Sequence, residues 1–122
     1  MGNQDRTQSS RLINEKCTAC RADSPAVGNE ELNSFLPLIA NWEFIEENGI
    51  RKLDRVFRFP TFTEAMIFTN KIASLAEEEG HHPRIVTEWG RVRLTWWTHK
   101  IRNLHRNDFL MALKSSDVFE SL

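Results

Sequence analysis

The pair Asn48-Gly49 constrains the fold of this chain more than any other feature, because it separates two runs rich in aromatic and β-branched residues. Asn-Gly is the strongest short-range hairpin signal, since both central residues of the tight turn must adopt positive φ. The pair therefore predicts two antiparallel strands, over residues 42–47 and 50–59. Apolar and polar residues alternate in the second run, although imperfectly.

The segment after this hairpin is typical of an amphipathic helix. Thr61 and Glu64 predict a capping box, in which the hydroxyl accepts one free N–H and the carboxylate reaches back to another. Gly80 predicts an end in the left-handed conformation. Apolar residues at helical spacing predict the buried face. The predicted stripe consists of Phe62, Ala65, Met66, Thr69, Ile72, Ala73 and Ala76.

The remaining elements complete a simple order. Asn29 begins a short helix, residues 84–89 and 91–99 form a second hairpin, and residues 104–119 form a C-terminal helix. The order α-β-β-α-β-β-α predicts a single α+β domain, in which helices pack on one face of a four-stranded antiparallel sheet. A sheet with a bare face and exposed edges favours an oligomer.

Length and charge set broad limits on the class of protein. The chain has 122 residues, which suits one domain. Residues 1–28 are polar and aperiodic and are predicted to be a flexible extension, with the folded domain over 29–122. The net charge of −1 gives no overall basic field for nucleic acid or an anionic membrane. Without a secretory signal or a bilayer-length apolar run, the expected location is the cytoplasm.

Cys17 and Cys20 form a C-x-x-C pair in the N-terminal extension. Such a pair is either half of a zinc site or a redox pair in many proteins. Here no second pair is present and no strand is predicted before it, so two reduced thiols are expected. A metal bridged between subunits remains an open alternative.

Three of the four histidines, His81, His82 and His99, fall near one end of the second hairpin. Counting outward from its turn places them together within one residue of register. The long helix ends at the same place with an acidic run that includes Glu77, and a nearby carboxylate raises the pKa of a histidine. Histidine is also the side chain that exchanges protons near neutral pH.

Two kinds of chemistry fit such a cluster. Three imidazoles and a water make a catalytic zinc shell. Adjacent strand residues point to opposite faces, however, which argues against His81 and His82 holding one ion. The other reading is general acid–base work on an organic substrate, with Trp96 or Trp97 as a flat wall. Alternation along the strand predicts Trp96 in the core and Trp97 nearer the substrate.

The stretch EEEGHHPRIVTEWGRVRLTWWTHKIRNLHRND closely resembles the signature of the pterin-4a-carbinolamine dehydratases, in its bacterial branch. The resemblance extends over roughly residues 29–115. It implies an α+β fold that assembles as a homotetramer or homodimer. The residues that match the signature in order and spacing are Glu77, His81, His82, Pro83, Trp89, His99 and Asp108.

The resemblance implies dehydration of 4a-hydroxytetrahydrobiopterin to quinonoid dihydropterin and water, without a metal or an organic cofactor. This step recycles tetrahydrobiopterin for an aromatic amino acid hydroxylase, a possible partner. His81 and His99 would be the acid–base pair, and His82 would bind and polarise the substrate. The implied substrate contacts are Gly80, Pro83, Trp97, Thr98 and Lys100, with Glu77 and Asp108 in support.

Some positions leave alternatives open. Animal members carry an acid where this chain has Gly80 and a small residue where it has Trp97, so the pocket wall differs. Asp108 either orients a histidine or caps the last helix, and His105 and Arg106 are expected on the surface. The main alternative function is a non-catalytic interaction module, such as a transcriptional coactivator or dimerisation partner. A metal-dependent enzyme is the third reading.

Overall fold

The computed structural model describes residues 12–18 and 21–122. Residues 12–14 are helical, and a 3₁₀ turn at Leu36–Ile39 follows the first full helix. The predicted α-β-β-α-β-β-α order is confirmed. The elements are α1 (Asn29–Phe35), β1 (Glu43–Glu47), β2 (Ile50–Arg58), α2 (Phe62–Glu79), β3 (Arg84–Glu88), β4 (Arg91–Trp96) and α3 (Arg106–Glu120).

The four strands form one antiparallel sheet in the order β1-β2-β4-β3. The first hairpin turns at Asn48 and Gly49, whose φ values are 53° and 79°, as the dipeptide predicts. The second hairpin pairs Glu88 with Arg91, next to its turn. The two hairpins join through β2 and β4, so the four strands form a continuous sheet with the helices packed on one face.

The core lies between this sheet and the helices. Leu53 and Phe57 of β2 and Leu94 and Trp96 of β4 point toward the helices and are almost fully buried. Trp96 has no exposed surface, which confirms its predicted place in the core. Burying one apolar side chain such as that of Phe57 stabilises a fold by about 1.5–3 kcal/mol.

Helix α2 begins and ends at the predicted residues, but part of its buried face was predicted wrongly. The Thr61 hydroxyl accepts from the Glu64 N–H, which is one half of the predicted capping box, and Gly80 ends the helix at φ 66°. Phe62 is 49 % exposed and Ala73 is exposed, so both were wrongly placed in the stripe. The sheet contacts a face centred about Phe68, and the side chains at either edge of the predicted stripe turn to solvent. The buried residues of α2 are Ala65, Phe68, Ile72 and Ala76.

Strand β4 is shorter than predicted. It ends at Trp96, and the chain turns back so that Thr98 forms an isolated bridge with Asn103. Arg102 adopts a φ of 51° within this turn. On the other side β3 begins only after Pro83, which has no N–H to donate to a ladder. The histidines therefore lie in the segments that leave the sheet and not in paired strands.

The described part of the N-terminal segment contacts the domain. The Cys17 N–H donates to Glu79 Oε1 at 2.9 Å, and Arg106 donates two hydrogen bonds to Glu15. Residues 1–11 and 19–20, which include Cys20 and part of the predicted flexible extension, lie outside the described residues. Among the described helices, none combines the length and apolar character that crossing a bilayer requires.

Candidate active site

A buried carboxylate at the start of α3 organises the candidate site. Asp108 is fully buried, and its Oδ2 accepts the backbone N–H of His105 at 2.8 Å and the hydroxyl of Thr98 at 2.8 Å. The first contact is half of a capping box, because the His105 ring in turn accepts the N–H of Asn107 through Nδ1. Asp108 thus caps the helix through Oδ2, and its Oδ1 is bonded to a different partner.

That partner is His81. Its Nε2 lies 2.7 Å from Oδ1 of Asp108, and its ring stacks on Trp96 with centroids 5.7 Å apart and planes inclined by 7°. A carboxylate only accepts, so His81 donates from Nε2 and Nδ1 carries the lone pair in the neutral ring. The ring is 7 % exposed. Its tautomer and its orientation are therefore both restricted by buried groups.

His82 faces the other way. Its Nε2 lies 2.6 Å from Glu77 Oε1, and both side chains are largely exposed. A solvent-exposed pair of this kind adds little stability. It nevertheless joins the ring to the last turn of α2, which restricts where the second nitrogen can point.

His99 completes the cluster. Its ring hydrogen-bonds the backbone of His82 and lies 4.4 Å from Trp97, centroid to centroid. Partial burial of the ring lowers the pKa of His99 below its ordinary value, and the charge of His81 lowers it further, whereas Asp108 opposes the shift. These contacts place the three histidines beside the end of α2, the end at which the sequence predicted them.

Of the other predicted residues, most lie next to the three histidines, but Trp89 does not. Gly80 is the left-handed end of α2, and half-buried Pro83 leads into β3. Thr98 is 1 % exposed with its hydroxyl directed to Asp108, and Lys100 is exposed in the following turn. Trp89, although it matches the signature, lies at the far end of β3 and is 74 % exposed.

Two groups near the cluster differ from what the sequence indicated. His105 was expected on the surface but is almost fully buried, because its ring caps α3. Only its position before an acid three residues on, the pattern of a capping box, could have indicated this. Lys52 was not predicted at all, and its ammonium lies over the Trp97 ring at 3.9 Å from the centroid.

Within residues 12–18 and 21–122, no group of three or more His, Cys, Asp or Glu side chains is arranged to hold an ion. His81 and His82 each direct Nε2 to a different carboxylate, Asp108 and Glu77.

The class of protein that these features define is a single α+β domain with three histidines at one end of its sheet, two of them hydrogen-bonded to carboxylates. Comparison with known families makes the class specific. The sequence model described as pterin 4 alpha carbinolamine dehydratase matches residues 25–118. The chain belongs to the pterin-4a-carbinolamine dehydratase family.

Individual relatives agree with this placement. A protein of Nitrosococcus oceani, which carries the name pterin-4-alpha-carbinolamine dehydratase as an inferred assignment, is 50 % identical over 109 residues, 89 % of this chain and 96 % of its own. A crystal structure described as a transcriptional coactivator/pterin dehydratase from Brucella melitensis has a TM-score of 0.68 at 28 % identity, covering 77 % of this chain and 98 % of the other.

A more distant structure supports the fold alone. It is a pterin dehydratase-like protein described as a RuBisCO assembly factor in the alpha-carboxysome. Its TM-score is 0.55 at 20 % identity, and the match covers 64 % of this chain and 88 % of the other.

Proposed function

We propose that this protein catalyses the dehydration of 4a-hydroxytetrahydrobiopterin to quinonoid dihydropterin and water. The observation that carries the proposal is the buried Thr98–Asp108–His81 chain beside His99, within the region that matches the family. In the reaction the bond from C4a to the hydroxyl breaks, a ring N–H gives up its proton, and one water leaves. Two proton transfers are needed, and neither requires a metal or an organic cofactor.

His99 is suited to remove the ring proton. Its lowered pKa keeps the imidazole neutral around pH 7, and a neutral imidazole is the form that accepts a proton. The catalytic contribution of one positioned base is about 10²–10⁴-fold. That range is sufficient for a carbinolamine, because its ring nitrogen already expels the hydroxyl.

His81 would supply the second proton. Asp108 occupies Nε2, so the exchange at His81 takes place through Nδ1. In its protonated form the ring donates from Nδ1 to the departing hydroxyl. The neutral ring that remains is already in the tautomer that Asp108 accepts, and no rotation is needed before the next turnover.

The other residues of the site would bind the pterin or orient the groups that transfer protons. His82, oriented by Glu77, would hold and polarise the pterin, and Pro83, Trp97, Lys100 and the backbone at Gly80 would border it. We assign Thr98 to the positioning of Asp108, because its hydroxyl is already bonded and it has almost no exposed surface.

The wider setting belongs to the same proposal. The reaction would recycle tetrahydrobiopterin for an aromatic amino acid hydroxylase in the cytoplasm, and the protein would act as a homotetramer or homodimer. The second candidate function is a non-catalytic interaction role, which the description of the Brucella structure as a coactivator favours. Such a role would not need the proton-transfer groups of His81 and His99.

The test is stopped-flow absorbance of 4a-hydroxytetrahydropterin decay with wild type, His81→Ala and His99→Ala, each with and without a chelator. Circular dichroism on each variant shows whether it is folded. Acceleration that survives the chelator and is lost in both folded variants supports metal-free acid–base dehydration. Folded wild type that gives no acceleration would contradict the enzyme and favour the interaction role.

A further inference from the structure

The sheet face turned away from the helices carries an unusual cation close to the candidate site. Lys52, on β2, is 6 % exposed although it does not point into the core. Its Nζ donates to Glu47 Oε1 at 2.9 Å. A buried ammonium is costly unless it is paired, so Glu47 determines where this charge lies.

The same ammonium lies against an aromatic ring. Its Nζ is 3.9 Å from the centroid of the Trp97 ring, a distance typical of a cation–π contact. Arg84 reaches the same ring at 5.5 Å and also donates to Glu47, at 3.0 Å. The indole is therefore bordered by two cations that share one carboxylate, which restricts its rotation.

Trp97 in turn contacts His99, the ring of which lies 4.4 Å away. A continuous line of contacts thus runs from Glu47 through Lys52 and Trp97 to His99. It joins three separate parts of the chain: β1, β2 and the segment after β4. Each contact restrains the next ring or charge.

We infer that Lys52, anchored by Glu47 and lying over Trp97, is a positioning residue for the His99 ring. The inference rests on the proposed function, in which His99 transfers a proton. In our assignment Lys52 does not border the substrate, and its contacts are with Glu47 and the Trp97 ring. It acts by fixing the plane of the indole on which the imidazole lies.

The charges around His99 agree with this role. Lys52 lowers the pKa of His99, as does His81 from the segment after α2, whereas Asp108 on α3 and a backbone hydrogen bond to His82 raise it. Beyond Trp97, Glu47 and Arg84 bear opposite charges that offset each other in part. Lys52 therefore favours the neutral imidazole as well as restraining its position.

Lys52→Met is the direct test, because it keeps an apolar stem and removes the charge. Lys52→Arg restores a cation that can lie over the indole. Arg58→Met is the matched control: Arg58 is an exposed cation on the same face at the other end of β2. Lys52→Gln serves as the neutral variant if Lys52→Met does not fold.

Two readouts are needed. The pKa of His99 is measured by NMR of its ring protons, assigned with His99→Ala. In parallel, kcat/KM for 4a-hydroxytetrahydropterin is measured against pH. In the neutral variant we expect a higher pKa for His99, an acidic limb of kcat/KM moved to higher pH, and kcat reduced about tenfold by the loosened ring. Lys52→Arg should recover both readouts, and Arg58→Met should leave both at the wild-type level.

An unchanged His99 titration in a folded neutral variant would overturn the inference, as would an equal shift in Arg58→Met. The two proposals can fail separately. If wild type does not accelerate dehydration, the proposed function fails, yet the NMR titrations of the Lys52 variants still decide whether Lys52 acts on the His99 ring.

Discussion

His81 and Asp108 are 27 positions apart in the chain and 2.7 Å apart in the fold, and their hydrogen bond links the segment after α2 to the first turn of α3. The same carboxylate caps α3 through the N–H of His105. The two roles considered for Asp108, orienting a histidine and capping a helix, are therefore both present. A shift in the start of α3 would move the histidine with it.

The first prediction concerns this shared carboxylate. Asp108→Asn should lower kcat for pterin dehydration by about 10²–10⁴-fold, because an amide can donate to His81 Nε2 and favour the wrong tautomer. Its second cost is structural: an amide N–H₂ facing buried donors should lower the free energy of unfolding by about 1–3 kcal/mol. Stopped-flow kinetics and urea denaturation measure the two effects.

Asp117→Asn is the control for that experiment, since Asp117 is an exposed acid on the same helix. We expect it to retain both activity and stability. If Asp108→Asn kept the wild-type kcat, Asp108 would only cap the helix.

The second prediction is a pH dependence of stability. The pKa of His105 is lowered, chiefly because burial removes water from around its charged form. The unfolded chain therefore binds a proton at higher pH than the folded one, and stability must fall as pH drops through about 6.5 toward the folded pKa. Protonation at Nδ1 also removes the acceptor for the Asn107 N–H.

Replacing the ring tests this origin. His105→Asn keeps a good N-cap side chain without a titrating group, so its midpoint of thermal unfolding should depend less on pH between 7 and 5. His82→Asn replaces an exposed histidine and should retain the wild-type dependence. An equal loss of stability on acidification in wild type and His105→Asn would exclude His105 as the source.

The third prediction concerns the N-terminal segment. Arg106 donates to both oxygens of Glu15 and to Glu31. Because these groups are partly exposed, the coupling between Arg106 and Glu15 should be modest, about 0.5–1 kcal/mol. A double-mutant cycle of Arg106→Met and Glu15→Gln, followed by urea denaturation, measures it. Strictly additive effects would mean that the pair contributes nothing to docking residues 12–18.

The fourth prediction tests which face of α2 is buried. Phe68→Ala should lower the free energy of unfolding by about 3–5 kcal/mol, because it leaves a cavity beneath Phe57 and Phe59. Phe62→Ala, six residues earlier on the same helix, should change stability by about 0.5 kcal/mol or less. Comparable losses in the two variants would mean that Phe62 is buried, for example against another copy of the chain.

Much of the fold was predictable because it depends on local rules. Asn48 and Gly49 required positive φ, Gly80 stopped α2, and alternation put Trp96 in the core. The errors in α2 concern the edges of its buried stripe. Phe62 and Ala73 were predicted to be buried but are exposed, because the angle at which a helix meets a sheet depends on both surfaces and not on the helix alone.

The candidate site divides in the same way. The grouping of His81, His82 and His99 at one end of a hairpin followed from sequence spacing, as did the family resemblance. The burial of His105 and the position of Lys52 could not be predicted from sequence spacing. Lys52 reaches Trp97 only because β2 pairs with β4, two strands that no hairpin connects.

The sequence by itself determined the elements, the turns and the set of histidines, because backbone conformation and side-chain periodicity depend on near neighbours. Only the tertiary structure decided that Asp108 meets His81 and that Lys52 lies over Trp97. These contacts join residues distant in the chain, and they form only when the helices pack on the sheet and the two hairpins join.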